Sequence, residues 1–305
     1  MPLSAPLLTR KRAIKVIAEA TKGTFLAPTQ ALTVFDPVIN PTAPFEERHD
    51  VGLYRGPSMG GVVGERSGKC TFGAELRGSG TGLEAGLAIL LQACGFLKTA
   101  EVYNTHSTPA SDINVSIAMW EDGKKKGLAG GAGNVIMGGG VGKRFMCNFD
   151  FSGIWQAPVD DALPAFAPAT TAPLFLQGGT FTLGGQAIKI GSFELNMGNV
   201  VAERKGVVGV GGIAHYLITY QVPLLTITPE TDLVGGYDFY GLWLAGTPAV
   251  VSLVVSNAGD TVTFAIPAFQ TREISEGDRD GIAIENLVGQ CNHSTGNDAV
   301  TITVT

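Results

Sequence analysis

The chain has 305 residues, of which 45% are hydrophobic and only 16% charged. That excludes a disordered chain and leaves room for one large core or two medium ones, two being the reading by length. A net charge of -6 argues against a protein that wraps nucleic acid, because neutralising phosphates needs a basic surface.

The first sixty residues read as an arm followed by extended segments. Leu32-Thr33-Val34-Phe35 alternates in polarity, and Pro37, Pro41 and Pro44 end it. The polar run Glu46-Glu47-Arg48-His49-Asp50 and the glycine-rich stretch from Tyr54 to Gly64 read as a loop. Residues 69–77 form a half-buried strand, with Cys70, Phe72, Ala74 and Leu76 on one face.

A helix follows, with Leu83, Leu87, Leu90, Leu91 and Cys94 at helical spacing, a start at Thr81 or Gly82 and a stop at Gly95. Ile113, Val115, Ile117 and Met119 alternate, and the Asp122-Gly123 turn leads into a second strand through Leu128, which makes a hairpin. A strand over residues 144–151 ends the first half. The proline- and alanine-rich stretch that follows is the expected linker.

Beyond it the same order of elements returns. Residues 178–183 echo residues 29–35, residues 215–222 match residues 69–77, and a short helix over 237–244 ends at Gly246. A hairpin turning at Ala258-Gly259-Asp260 and a strand over residues 281–288 complete the parallel. The repeat predicts a mainly β fold: two tandem β-sandwich or barrel domains, each flanked by a short α-helix. The boundaries are 1–156 for the first domain with its N-terminal arm, 157–174 for the linker and 175–305 for the second domain.

Chemical motifs are wanting. Residues 127–143 are glycine-rich, but a phosphate-binding loop would need glycine at Met137 and Ser or Thr at Arg144, so this stretch reads as a mobile connection between strands. Glu46, Glu47, His49 and Asp50 are adjacent loop residues that fix no metal geometry. None of the four histidines stands in a catalytic motif, and no carboxylate pair suits a glycosidase. Catalytic, cofactor and metal residues are therefore expected to be none. Cys70, Cys94, Cys147 and Cys291 lie too far apart for a C-x-x-C pair and suit a reduced compartment. No apolar run reaches membrane-spanning length, and no export signal is read near Arg10, Lys11 and Arg12. A charged fraction this low, with a mean hydropathy of +0.22, implies surface covered by other copies.

Several short motifs occur in a fixed order: Lys22-Gly23-Thr24 with Pro28-Thr29, Arg77-Gly78-Ser79-Gly80, and Leu90-Leu91-Gln92-Ala93-Cys94-Gly95. Residues 130–134, Phe149-Asp150-Phe151-Ser152-Gly153, Ser192-Phe193-Glu194-Leu195-Asn196-Met197-Gly198-Asn199 and Arg279-Asp280-Gly281 continue the series. As a set this resembles the bacteriophage tail tube protein family over nearly the whole chain. The resemblance implies a structural virion protein of the tail, made in the host bacterial cytoplasm, whose sheets join side by side into rings that stack into a hollow tube. Partners would be the chain itself, other tail proteins at the tube ends and DNA passing through the lumen without sequence-specific binding, with no membrane binding by the subunit. With two tube domains per chain, a ring would be a pseudo-hexameric trimer, the alternative being a hexamer. Glu46, Glu47, Arg48, Tyr54, Arg55 and Arg66, with Glu203, Arg204 and Lys205 in the second half, would reach adjacent subunits or rings. Asp278, Arg279 and Asp280 form a charged turn with an intersubunit role as its sharper reading. Other readings are a baseplate or decoration protein and, behind it, a β-fold enzyme.

Overall fold

A computed structural model describes residues 6–49, 55–56, 59–166, 171–207, 209–257 and 259–305. It is mainly β, as the alternating runs predict, and the strand pairing is antiparallel throughout.

The first series of elements is β1 (Arg12–Ala18), β2 (Gln30–Leu32), β3 (Val34–Thr42), the short hairpin β4 (Phe45–Glu46) and β5 (Val62–Val63), and β6 (Ser67–Glu75). Helix α1 (Ala85–Ala93) follows, then β7 (Phe96–Thr99), β8 (Val102–Thr105), β9 (Val115–Glu121), β10 (Lys124–Gly140) and β11 (Met146–Asp160). Pairing runs β2–β1–β9–β10–β11–β6–β3. Since only Thr33 separates β2 from β3, the sheet curls back towards its own start.

The second series is β12 (Thr180–Leu183), β13 (Gln186–Ala187), β14 (Ile190–Asn196), the hairpin β15 (Asn199–Lys205) and β16 (Ile213–Gln221), and β17 (Leu224–Pro229). Helix α2 (Phe239–Ala245), β18 (Ala249–Asn257), β19 (Asp260–Arg279), β20 (Ile282–Asn292) and β21 (Thr301–Val304) complete the chain. Here pairing runs β13–β12–β18–β19–β20–β17–β14, the first order repeated element for element. The β7–β8 hairpin is the insertion in the first series, and β21 bridges β19 to β8.

The matching of elements differs from the one read along the chain. Residues 180–183 pair as β1 does, not as residues 29–35 do, and the counterpart of β6 is β17, not residues 215–222. Any half-buried strand alternates, so alternation cannot choose among neighbouring strands, whereas pairing can. The expected arm also needs correction, because residues 12–18 form a full partner of β9 with Ile14 and Val16 buried.

The glycine-rich stretch 127–143 is not a mobile connection: most of it lies in β10, a 17-residue strand with β11 on one side and β9, then β14, on the other. Its glycines admit close neighbours. A Cβ on Gly138 would lie 2.1 Å from the Phe193 carbonyl oxygen, and one on Gly133 would meet the Phe151 ring at 2.6 Å.

Helix α1 starts at Ala85, later than Thr81 or Gly82, because Ser79 N–H donates to Gly82 O and Gly78 bridges Leu83, holding that stretch in a turn. Asp238 caps α2 by accepting from Gly241 N–H at 2.7 Å, and Gly246 ends it at φ 62°. The 156 boundary falls inside β11, which continues to Asp160. Leu174 and Leu176 are buried, and Leu174 N–H donates to Leu76 O, so the far end of the expected linker is tied to the first segment. One buried hydrophobic cluster takes in residues of both segments.

Candidate assembly surface

The two segments meet at several places, among them a strand-to-strand seam. At its centre, residues 136–140 of β10 pair with residues 192–196 of β14, Met137 opposite Leu195. Phe193, Leu195 and Met197 point into the core and are fully buried, which accounts for the alternation in the motif that contains them.

Amide side chains fasten the seam. Asn199 Nδ2 donates to Cys94 O at 2.7 Å and to Gly133 O at 2.9 Å, joining the start of β15 to the end of α1 and to β10. Asn134 accepts from Asn199 N–H and donates to Asn196 Oδ1, and Gln221 Nε2 donates to Asn199 Oδ1.

The hairpin β15–β16 then lies over the first segment. Ile213 and Tyr216 share a small apolar cluster with Ala129, Ala132 and Ile154. Buried Asn114 donates to Tyr216 O at 2.8 Å and to the carbonyls of Gly130 and Gly131. Asn114→Ala would leave those carbonyls without their donor, and a loss of about 1–3 kcal/mol is expected, read by denaturant unfolding. Hydrogen exchange of β15–β16 should rise with it; unchanged protection would show that the hairpin is held by other contacts.

Glu19 works beside it. Its Oε1 accepts from Gly130 N–H at 2.6 Å and from the Ser116 hydroxyl at 2.7 Å, and its Oε2 accepts from Gly23 N–H at 2.7 Å. Burial pushes the Glu19 pKa up, and these hydrogen bonds oppose the shift.

A second contact between the segments explains Arg77-Gly78-Ser79-Gly80. Asp260 of β19 reaches into this turn, accepting from Gly80 N–H at 2.9 Å, and a Cβ on Gly78 would lie 2.0 Å from the carboxyl carbon.

The structure brings some of the predicted loop residues together. Lys205 Nζ lies 3.1 Å from both Glu203 Oε1 and Glu65 Oε2, and the turn at Gly211 stands against Arg66. Hydrogen bonding to Glu203 and then Glu65 raises the Lys205 pKa. Arg204 pairs across the hairpin with His215, whose pKa falls through burial and then the nearby Arg204 and Lys22 charges. Glu46 belongs to β4 opposite Val62, Glu47 pairs with His49 at 3.3 Å, and Arg48 and Arg55 are exposed. Tyr54 lies outside the described residues.

Asp278 and Arg279 end β19, and Asp280 and Gly281, at φ 54° and 83°, turn the chain into β20. Arg279 Nη2 reaches Glu230 Oε1 at 2.8 Å.

Sequence reading missed two features. One is the amide set at the seam, for which only the Asn196 and Asn199 motif gave a signal. The other is that the outer edges of two long strands are left open. Among the described residues, no strand pairs with the side of β3 away from β6, nor with residues 270–279 of β19 on the side away from β20.

The family model described as phage tail tube protein matches residues 9–305. No curated protein matches the chain.

Proposed function

The chain belongs to the phage tail tube protein family, a family of structural virion tail proteins, and from that premise we propose that it polymerises as stacked rings forming a hollow tube through which DNA reaches the host. The observation that carries this reading is the seam: the repeated strand order joins edge to edge within one chain, while the outer side of β3 and residues 270–279 of β19 meet no strand among the described residues. An object with two complementary unsatisfied edges forms rings or filaments by head-to-tail contact.

The segments before and after the linker act as two tube domains, so three chains supply six units and the ring is a pseudo-hexameric trimer. The net charge of -6 supports a lumen that repels phosphate and lets DNA slide. Other tail proteins terminate the tube, and the subunit is made in the cytoplasm of the host bacterium. The loops at residues 46–66 and 201–212 bridge neighbouring subunits or rings.

Electron microscopy of the purified chain, fresh and concentrated, tests the proposal. Rings or tubes with threefold modulation of a sixfold outline are expected. Strict sixfold rings would retain the tube and discard the trimer, and compact monomers at every concentration would refute tube formation by the chain alone. Deleting residues 52–64 should leave a folded subunit that no longer polymerises; normal tubes from that variant would remove the loop from the assembly.

A further inference from the structure

The two series can be superposed through their ladders. Ile39 pairs with Cys70, Cys70 with Phe151 and Phe151 with Gly133 in the first. Leu195 pairs with Leu225, Leu225 with Gly289 and Gly289 with Thr271 in the second. Ile39 thus falls on Leu195 and Phe151 on Gly289. Four residues earlier on the return strands, Cys147 opposite Met137 falls on Glu285 opposite Glu276.

Carried over, the β10–β14 joint has a counterpart that no strand among the described residues completes. Residues 136–140 become residues 275–279 and residues 192–196 become residues 36–40. Both are edges that meet no strand among the described residues. Gly138, where the partner backbone passes closest, becomes Gly277, and Asn196 of the amide network becomes Asn40.

The hairpins agree. β15–β16 covers the end of α1, with Ile218 and Gln221 against Gly95. Its counterpart β4–β5 exposes Phe45, Val62 and Val63, each more than half accessible. The counterpart of α1 is correspondingly bare: α2 buries only Phe239, while Trp243 is partly exposed and Leu244 is 77% exposed.

We infer that a second copy of this chain docks its β3 edge onto residues 275–279 and lays its β4–β5 hairpin on the end of α2, repeating the internal seam between chains. This rests on the tube reading and specifies which surfaces close the ring. Pro37 and Pro41 limit what the β3 edge can donate, and Arg12 Nη1 already occupies the Pro37 carbonyl at 2.9 Å. The ladder at this joint is therefore short, the apolar hairpin supplies the remaining contact, and free subunits do not zip together indiscriminately.

Cysteine pairing tests the register. Ile136 opposite Asn196 maps onto Ser275 opposite Asn40, both exposed, and the native cysteines are buried. The S275C and N40C chains, checked for folding by circular dichroism, are mixed at a concentration where the unchanged chain assembles, oxidised, and run on a non-reducing gel. Conversion of most of the mixture to a reductant-sensitive S275C–N40C dimer, absent from either variant alone, is expected. If the unchanged chain forms rings but the mixture stays unlinked, the joint is wrong and the tube reading stands. If the unchanged chain forms no particles and the mixture stays unlinked, both fall.

Discussion

Replacing Phe264 by alanine is expected to cost about 3–5 kcal/mol, the range for a large aromatic deleted from a packed core. Phe264 of β19 is fully buried between Phe145 and Phe193, with ring centroids at 5.1 Å and 5.5 Å, and those two lie 6.0 Å apart. Phe145 comes from the first segment, whereas Phe193 and Phe264 come from the second. The cavity would thus open where the two share one core. Denaturant unfolding followed through Trp155 and through Trp243, in variants retaining one or the other, should show coincident transitions that shift together. Separate midpoints, with only the Trp243 transition moved, would show that the segments unfold independently despite the shared ring cluster.

Glu75→Ala is expected to cost about 1–3 kcal/mol, because it removes a buried carboxylate that accepts from two guanidinium groups, one of which, on Arg144, is 46% exposed. Glu75 is 5% exposed at the end of β6, where its carboxylate meets the guanidinium groups of Arg77 and Arg144. Burial by itself would raise the Glu75 pKa. Hydrogen bonds from Arg77 and then Arg144 outweigh that and hold it below its ordinary value. A carboxyl depressed in the folded state contributes stability that is complete above its unfolded pKa and lost as pH falls through the folded one. The gap between the native chain and Glu75→Ala should therefore be largest near neutrality and shrink as pH drops below about 4. A gap independent of pH would mean that the loss comes from packing and not from charge.

Much of the fold is legible along the chain for a local reason. Alternation at Cys70, Phe72 and Ala74, and again at Val251, Leu253 and Val255, marks strands buried on one face, and both helix stops are glycines at positive φ. The asparagine-rich motif ending at Asn199 stood out too, although its role as the fastener of a seam did not.

Other features depend on what lies across the sheet. Nothing local distinguishes the glycines of β10 from a loop, because they are tolerated in a strand only where Phe151 and the β14 backbone press against them. Nor does periodicity decide which strand is the partner of which. Residues 180–183 and residues 29–35 alternate alike, yet they occupy different places in the pairing order. The loop charges at residues 46–48 and 203–205 were visible as charges, but only the fold brings Lys205 to Glu65.

The sequence by itself determined the β class, the two short helices, the repeat in the order of elements and the absence of a readable catalytic motif, since each follows from residue type and spacing within a short window. The tertiary structure alone decided that β1 is a full sheet strand, that β10 joins β14, and that β3 and residues 270–279 remain open edges. An edge is a property of pairing between residues far apart in the chain, and a strand carries the same alternation whether its hydrogen bonds are met by a neighbour or left for another copy to complete.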